Sequence, residues 1–499
     1  MSVLTEFLPA LAAATALSAA IERFGGAARA SFGWRPGDLA LRVGSYLLLT
    51  LFWFTFSWRP WLAGLSTVLT VAGLVLVSRM KRHVIGEPLV FSDFALLPQV
   101  PRHPQLYYIP PVTSPVIAGP VLASILAIAG WYWLEPSLLP AGAGPALLAI
   151  LVLPAALVAL VLAAQRDPLA AWVARRFPRP ALERDIGRIG LPATLMAYWL
   201  RRKGEGAAPL AALPKPARSG DPVVILIQLE SFVDPERLGG PPLPLMALIR
   251  SRAAEYGRLR VPAHGAYTMR SEHAVLTGRD ADSLGFGVFD PYLAAGGDEP
   301  TSLARLARAA GYGTAFVHPF HRDFFQRAQV MQRFGFERLV MEEAFADAPR
   351  IGPYVSDVAL GNRILDEVRE RRGPLFLFSV TMENHGPWKP GRLPGIDDPL
   401  AQYLHHVAGT GRMVEELVAG LEGEQATLCV FGDHAPSLPT CRPGFGETTT
   451  DYALFRFGRA AEGGPPRRID RSADALGRRL RATLAGEAEA PAGASPAQA

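Results

Sequence analysis

Cysteine is nearly missing from this chain of 499 residues, where Cys429 and Cys441 are the only two. That pair excludes a disulfide framework and a cysteine-based zinc site. Cys429, inside Leu428-Cys429-Val430-Phe431, reads as a core residue. Any long basic tract is missing as well. The net charge is +5, and the arginines are scattered or sit beside apolar stretches. With no recognition motif to go with them, a nucleic-acid partner is excluded. Charge is also scarce early in the chain. Hydrophobic residues make up 49% of the total, mostly before residue 166, and the charged 19% falls mostly after it. This asymmetry predicts a membrane half followed by a soluble half.

A spanning helix needs roughly 20 mostly apolar residues. Phe7–Ile21, Val43–Trp58, Pro60–Ser78, Pro115–Leu134 and Ala141–Ala164 meet or approach that length. A cleaved signal peptide would account for the first alone. Trp58, Trp61, Trp131 and Trp133 collect at span ends, where an amphipathic ring is favoured. Met80–Pro111, rich in proline, reads as a loop along the interface. In the Arg- and Pro-rich stretch 166–219, Ile186, Ile189, Leu195, Met196 and Trp199 recur at helical spacing. Gly190 and Pro192 place a helix start at Pro192, where proline suits the first turn. The helix is either amphipathic and interfacial or part of the soluble surface.

The loop between the fourth and fifth spans has no Lys or Arg. Arg23, Arg29, Arg35, Arg42, Arg79, Lys81, Arg82, Arg166, Arg175 and Arg176 all fall on the opposite side, which the soluble half shares. By the positive-inside rule that side is the cytoplasm.

From residue 221 short β-branched runs alternate with helical segments such as Thr301–Ala310 and Asp357–Arg371. Pro222–Leu229 leads into Glu230, Gly313–Val317 into His318, Pro374–Thr381 into Glu383-Asn384-His385, and Ala426–Phe431 into Gly432-Asp433-His434. Strand, polar end, helix, repeated, predicts an α/β sheet with a site along its C-terminal edge. Taken singly, a glutamate after a strand belongs to a helix start and an Asp-His pair to a surface turn. Their shared position at strand ends makes Glu230, Asp433 and His434 candidate ligands of a divalent cation. Oxygen and nitrogen donors suit Mn²⁺, Mg²⁺ or Zn²⁺.

These motifs resemble those of the lipoteichoic acid synthase-like phosphoglycerol transferases, which carry a sulfatase-like domain of the alkaline phosphatase superfamily. The resemblance runs along about the whole chain. Ile225–Phe232 is similar to the family's first metal-ligand strand, and His264-Gly-Ala-Tyr-Thr268-Met-Arg-Ser-Glu272, with Leu276-Thr277-Gly278, to its nucleophile segment. His318-Pro319, with Phe324-Phe325-Gln326-Arg327 and Gly335-Phe336, resembles its substrate-binding stretch. Glu383-Asn384-His385-Gly386-Pro387 resembles its substrate histidine loop, and Phe431-Gly432-Asp433-His434 its second metal-ligand pair. Phe325 and Gln326 depart from the Trp and Asn often found there, and a complete second metal site is not evident.

The resemblance implies an α-helical membrane domain over 1–165, a linker with an interfacial helix over 166–220, a sulfatase-like catalytic domain over 221–485 and a disordered tail over 486–499. It implies Thr268 as nucleophile and metal ligand beside Glu230, Asp433 and His434, with Mn²⁺ the first expectation among the cations. A bound cation would lower the pKa of the hydroxyl and orient a phosphoryl group. Arg327 and His318 are the implied phosphate binders, and His385 the phosphate binder or the acid for the leaving alkoxide. The implied donor is a phosphatidylglycerol-type lipid, and the implied acceptor a glycan hydroxyl. Other readings are a sulfatase or phosphodiesterase-type hydrolase of the same superfamily, a phosphoethanolamine transferase and a catalytically dead scaffold. Sulfatases mature a Cys or Ser to formylglycine, and Thr268 cannot become one. Phosphoethanolamine transferases typically carry several disulfides, which two cysteines cannot supply. The proposed ligands are all present, against a dead site.

The same resemblance implies a catalytic domain outside the cytoplasm of a multi-pass inner-membrane protein, against the arginine count. Large domains translocate largely regardless of charge. With Cys429 and Cys441 removed, a cysteine placed in the soluble half is expected to react with an impermeant thiol reagent on intact cells. Labelling only after lysis would mean that the arginine count is right.

Overall fold

In the computed structural model the residues described are 3–26, 32–106, 114–166, 169–202, 222–294, 301–438, 448–458 and 464–486. They fall in two compact units, one from 1–98 and 108–204, the other from 99–107 and 205–499. Cys441, residues 203–220 of the expected linker and all but the first residue of the expected tail lie outside the described residues.

The first unit is helical. Helices α1 (Val3–Phe24), α2 (Pro36–Ser57), α3 (Pro60–Ile85), α4 (Pro115–Leu134) and α5 (Ala143–Ala164) are followed by the shorter α6 (Leu169–Arg176), α7 (Leu182–Ile189) and α8 (Leu191–Arg201). The first five are long and apolar enough to cross a membrane. Proline stands in the first turn of α2, α3 and α4, where its missing N–H leaves no bond unmade. Polar side chains between α2 and α3 satisfy one another: Thr50 and Thr67 share a hydrogen bond of 3.1 Å, and Trp53 Nε1 donates to Thr70 at 3.0 Å. The Glu135 carboxylate accepts from the N–H groups of Trp61 and Leu62 at the start of α3. Gly190, at φ +87°, breaks the expected amphipathic stretch into α7 and α8. These two helices pack with the membrane helices. The buried Arg42 pairs with Glu22 and donates to Gly187 O, and Glu22 accepts from Leu191 N at 2.8 Å.

The second unit is a mixed α/β domain. Its strands are β1 (Val223–Leu229), β2 (Glu255–Arg260), β3 (Gly313–Val317), β4 (Arg338–Val340), β5 (Arg350–Ile351), β6 (Tyr354–Val355), β7 (Leu375–Val380), β8 (Ala426–Gly432), β9 (Thr449–Phe457), β10 (Arg467–Arg468) and β11 (Arg471–Ser472). Its helices are α9 (Pro244–Arg252), α10 (Thr268–Thr277), α11 (Pro291–Ala294), α12 (Leu303–Ala309), α13 (Arg327–Phe334), α14 (Asp357–Arg369), α15 (Pro399–Leu421) and α16 (Ala473–Ala485). The sheet order is β10-β2-β9-β8-β1-β7-β3-β4, and β11 also pairs with β2. Strands β8, β1, β7, β3 and β4 are parallel. Strand β9 runs antiparallel to both β8 and β2.

Every residue of β1, β7 and β8 is buried, which is why these strands read as continuous apolar runs. One core joins β1, β7 and β8 to α9, α14 and α15. Ser302, Ser356 and Asp398 cap α12, α14 and α15 through their side chains. Register then fixes the site. Leu229 lies opposite Gly432, and Gln228 opposite Val380. Glu230, Asp433, His318 and the His385 loop therefore leave four neighbouring parallel strands at one edge of the sheet.

Candidate active site

Glu230 and the pair Asp433-His434 follow directly on β1 and β8, and their ligand atoms lie within 4.8 Å of one another. All three side chains are buried. Two carboxylates in one buried place repel, and each loses hydration. Burial first, then Asp433, pushes Glu230 up to about 8. Asp433 Oδ1 accepts from Ser231 N and His434 N, both at 2.8 Å. Its Oδ2 is buried and has no hydrogen-bond partner among the described residues. His434 Nδ1 lies 3.1 Å from Ala435 O and so carries the proton, while Nε2 lies 3.5 Å from both carboxylates. A backbone carbonyl holding one ring nitrogen so that the other presents its lone pair is the usual arrangement of a metal-ligating histidine. The orphaned oxygen, the repelling carboxylates and the oriented imidazole fit a divalent cation.

Thr268 is the first residue of α10 and is buried. Helix α10 is tied to the end of β8, since Ser271 Oγ donates to Asp433 O and Gly265 N to Ala435 O at 3.0 Å. The positive end of the helix dipole favours negative charge at Thr268. Left-handed backbone at residues other than glycine gathers around the site. Ser231 (φ 54°) follows Glu230, Tyr267 (φ 64°) precedes Thr268, and Phe325 (φ 54°) and Gln326 (φ 53°) precede Arg327. Such conformations cost of order 1–3 kcal/mol each, and surrounding contacts must hold them.

Arg327 and His318 are brought together, but not as two independent phosphate ligands. His318 is fully buried, and both of its nitrogens are engaged. Nδ1 donates to Val380 O at 3.0 Å, and Nε2 accepts from Arg327 Nη1 at 3.0 Å. Burial and the Arg327 charge hold it well below its usual pKa, as a neutral ring. It is placed to orient Arg327 rather than to face a ligand. Arg327 gives its other terminal nitrogen to Glu272 Oε2 at 2.8 Å, and Tyr292 donates to Glu272 Oε1. The guanidinium fork expected to clamp phosphate is thus already shared with two protein partners, and its Nε is buried without one. Glu272 had no role in the sequence reading. Its position, one helical turn after Thr268, was the available signal.

His385 Nδ1 lies 2.6 Å from Gly386 O, which makes it the donor and leaves Nε2 as a lone pair. Burial lowers the ring to about 4, so it is neutral at neutral pH. An anionic phosphate beside it would push it back up. The His385 loop is held from behind. Arg392 donates to the carbonyls of Glu383, His385 and Pro387, and Asn384 Nδ2 to Glu230 O at 3.1 Å. The backbone N–H of Asp357 donates to the Glu383 carboxylate at 2.8 Å and that of Glu383 to the Asp357 carboxylate at 3.4 Å, and Glu383 meets His406 Nδ1 at 3.2 Å. A Cβ on Gly409 would lie 2.6 Å from Glu383 Oε1, so α15 needs glycine there.

If the strand-end cluster holds a divalent cation, Glu230→Gln and Asp433→Asn are each expected to lower bound metal, read by elemental analysis, at least tenfold with the far-UV spectrum unchanged. Wild-type metal content in either variant would remove that residue from the site.

A family model described as Sulfatase matches residues 222–463. The capsular polysaccharide biosynthesis protein RkpI of Rhizobium meliloti (strain 1021) is 32% identical over 459 residues, 87% of this chain and 84% of that one. Among solved structures, the integral membrane lipooligosaccharide phosphoethanolamine transferase A (EptA) of Neisseria meningitidis is 15% identical. It covers 94% of this chain and 95% of its own, with a TM-score of 0.51. The Streptococcus pyogenes phosphoglycerol transferase GacH is 18% identical over 56% of this chain and 84% of its own, with a TM-score of 0.43. The fold of apolar helices followed by a sulfatase-like sheet is similar to that of the solved membrane protein EptA over nearly the whole of both chains. The chain carries a Sulfatase domain and belongs to the same family as the capsular polysaccharide biosynthesis protein RkpI.

Proposed function

We propose that this protein moves a phosphoglycerol group from a phosphatidylglycerol-type lipid to a hydroxyl of an envelope glycan, through Thr268, with the catalytic unit outside the cytoplasm. The observation that carries this reading is the buried cluster Glu230, Asp433 and His434 at two adjacent strand ends, with the helix that begins at Thr268 bonded to one of them. The five apolar helices suit a lipid donor. The relative named for capsular polysaccharide biosynthesis supports a glycan acceptor. Phosphoglycerol rather than phosphoethanolamine rests on the motif resemblance and on the scarcity of cysteine, since Cys429 is free and buried in β8.

In the first step the Thr268 hydroxyl oxygen attacks phosphorus. The bond from phosphorus to the diacylglycerol oxygen breaks, and the proton lost by Thr268 is balanced by one gained by the diacylglycerol. In the second, a glycan hydroxyl attacks the same phosphorus, the bond to Thr268 breaks, and the proton lost by the glycan hydroxyl is balanced by one regained by the Thr268 oxygen. A divalent cation, when bound, supplies positive charge at the reacting oxygens. The chain supplies position. Helix α10 sets the threonine and lends its dipole. Glu272 and His318 hold Arg327 in a fixed plane, and His385 keeps a neutral Nε2 for the substrate. Once an anion is bound, that nitrogen can carry the proton for the leaving alkoxide.

Diacylglycerol release from phosphatidylglycerol and from phosphatidylethanolamine tests the reading. Release from phosphatidylglycerol is expected, lost in Thr268→Ala and reduced but measurable in Thr268→Ser, whose oxygen is less well oriented without the methyl group. His385→Ala is expected to be slower by roughly 10²–10⁴-fold with metal content kept. Release from phosphatidylethanolamine alone would assign the second reading. Wild-type release by Thr268→Ala would remove the covalent step.

A further inference from the structure

Tyr354 stands at the start of β6, just after the Gly352-Pro353 turn of the β5–β6 hairpin, where Gly352 takes φ +60°. Arg350 Nη1 donates to Pro353 O across the turn at 3.1 Å, and Ser356 caps the next helix, so the short strand is held on both sides. The Tyr354 ring is 2% exposed. It packs against the His385 imidazole at 5.9 Å between centroids and against Phe320 at 6.2 Å, and the Arg392 guanidinium lies over it at 5.3 Å. Phe324 and Met382, from two of the segments that carry the site, join Leu106 in the same cluster. Phe320 and Phe324 lie between His318 and Arg327 in sequence, and Met382 lies just before the His385 loop.

The hydroxyl is what stands out. It is buried and has no hydrogen-bond partner among the described residues. Other buried tyrosines of this unit do find one: Tyr292 donates to Glu272, Tyr403 to Ser231 O and Tyr452 to Glu255. Native proteins seldom leave such a group unmatched, and the exceptions call for a ligand or a functional reason. Burial, with Glu230 adding to it, holds the phenol above its ordinary value of 10, so at neutral pH it is a donor. Arg392, whose guanidinium lies over the ring, has no lone pair to offer it.

We infer that Tyr354 is a substrate-binding residue of this site, whose hydroxyl donates to an oxygen of the phosphate-linked headgroup bound against His385. The inference rests on the transferase reading above and names a contact within it. A phosphoryl oxygen can accept this hydrogen whichever headgroup the phosphate carries.

The test uses the full chain and the single substitution Tyr354→Phe, with sn-glycerol 1-phosphate as calorimetric probe and thermal unfolding in parallel. Removing a hydroxyl that the free protein leaves unmatched is expected to keep Tm or raise it slightly. Binding of the probe is expected to weaken roughly tenfold, as for one hydrogen bond to a charged acceptor. Unchanged affinity overturns the inference. A Tm lowered by several degrees also overturns it, because the hydroxyl would then have a partner in the free protein. The binding measurement needs no turnover. A wild type that binds the probe and loses affinity on Tyr354→Phe, yet releases no diacylglycerol from phosphatidylglycerol, would sink the function proposed above and leave this contact standing.

Discussion

Two carboxylates, Glu230 and Asp433, are buried beside each other at the ends of neighbouring parallel strands. In the absence of a cation that arrangement is unfavourable, because each charge loses water and faces the other. Much of the surrounding structure serves to hold it. The Ser231 backbone is kept left-handed so that its N–H reaches Asp433. Asn384 reaches across from the next strand end to the Glu230 carbonyl, and Ser271 ties the helix that begins at Thr268 to Asp433. The cluster is an unfavourable place for two charges in the free chain and would be a matched donor set for a divalent cation.

A second layer of charge lies behind the first. Arg327 and Glu272 form a fully buried pair, braced by His318 on one side and Tyr292 on the other. Removing one partner of such a pair leaves an uncompensated buried charge and typically costs about 3–5 kcal/mol. The pair also joins two parts of the site. Glu272 rides on the helix of Thr268, and Arg327 begins the helix that follows the His318 strand. The start of the Thr268 helix and the start of the Arg327 helix are thus joined by one ion pair.

The sequence made the central strands legible because their ends carry the chemistry. Val-Val-Ile-Leu-Ile-Gln-Leu before Glu230 and Ala-Thr-Leu-Cys-Val-Phe-Gly before Asp433 are buried on both faces, so they read as strands without any periodicity argument. The five apolar helices were equally plain from length. Strand β9 was not, since Thr449–Phe457 mixes Asp and Arg with aromatics and gains its place only by pairing antiparallel between β8 and β2. Within the site, residue types pointed to the cation cluster, but partners could not be read from the chain. His318 and Arg327 looked like two phosphate ligands until their contact with each other, and that of Arg327 with Glu272, was seen. The role of Tyr354 had no signal in sequence, because it depends on what its hydroxyl fails to touch.

The account stands on covalent transfer through Thr268, and the adduct itself is the most direct readout. The purified protein would be incubated with headgroup-labelled phosphatidylglycerol and Mn²⁺, without acceptor, quenched in acid and digested. The peptide containing Thr268 is predicted to gain the mass of one glycerophosphoryl group in the wild type and none in Thr268→Ala. Diacylglycerol release at full rate with an unmodified Thr268 peptide would contradict the account.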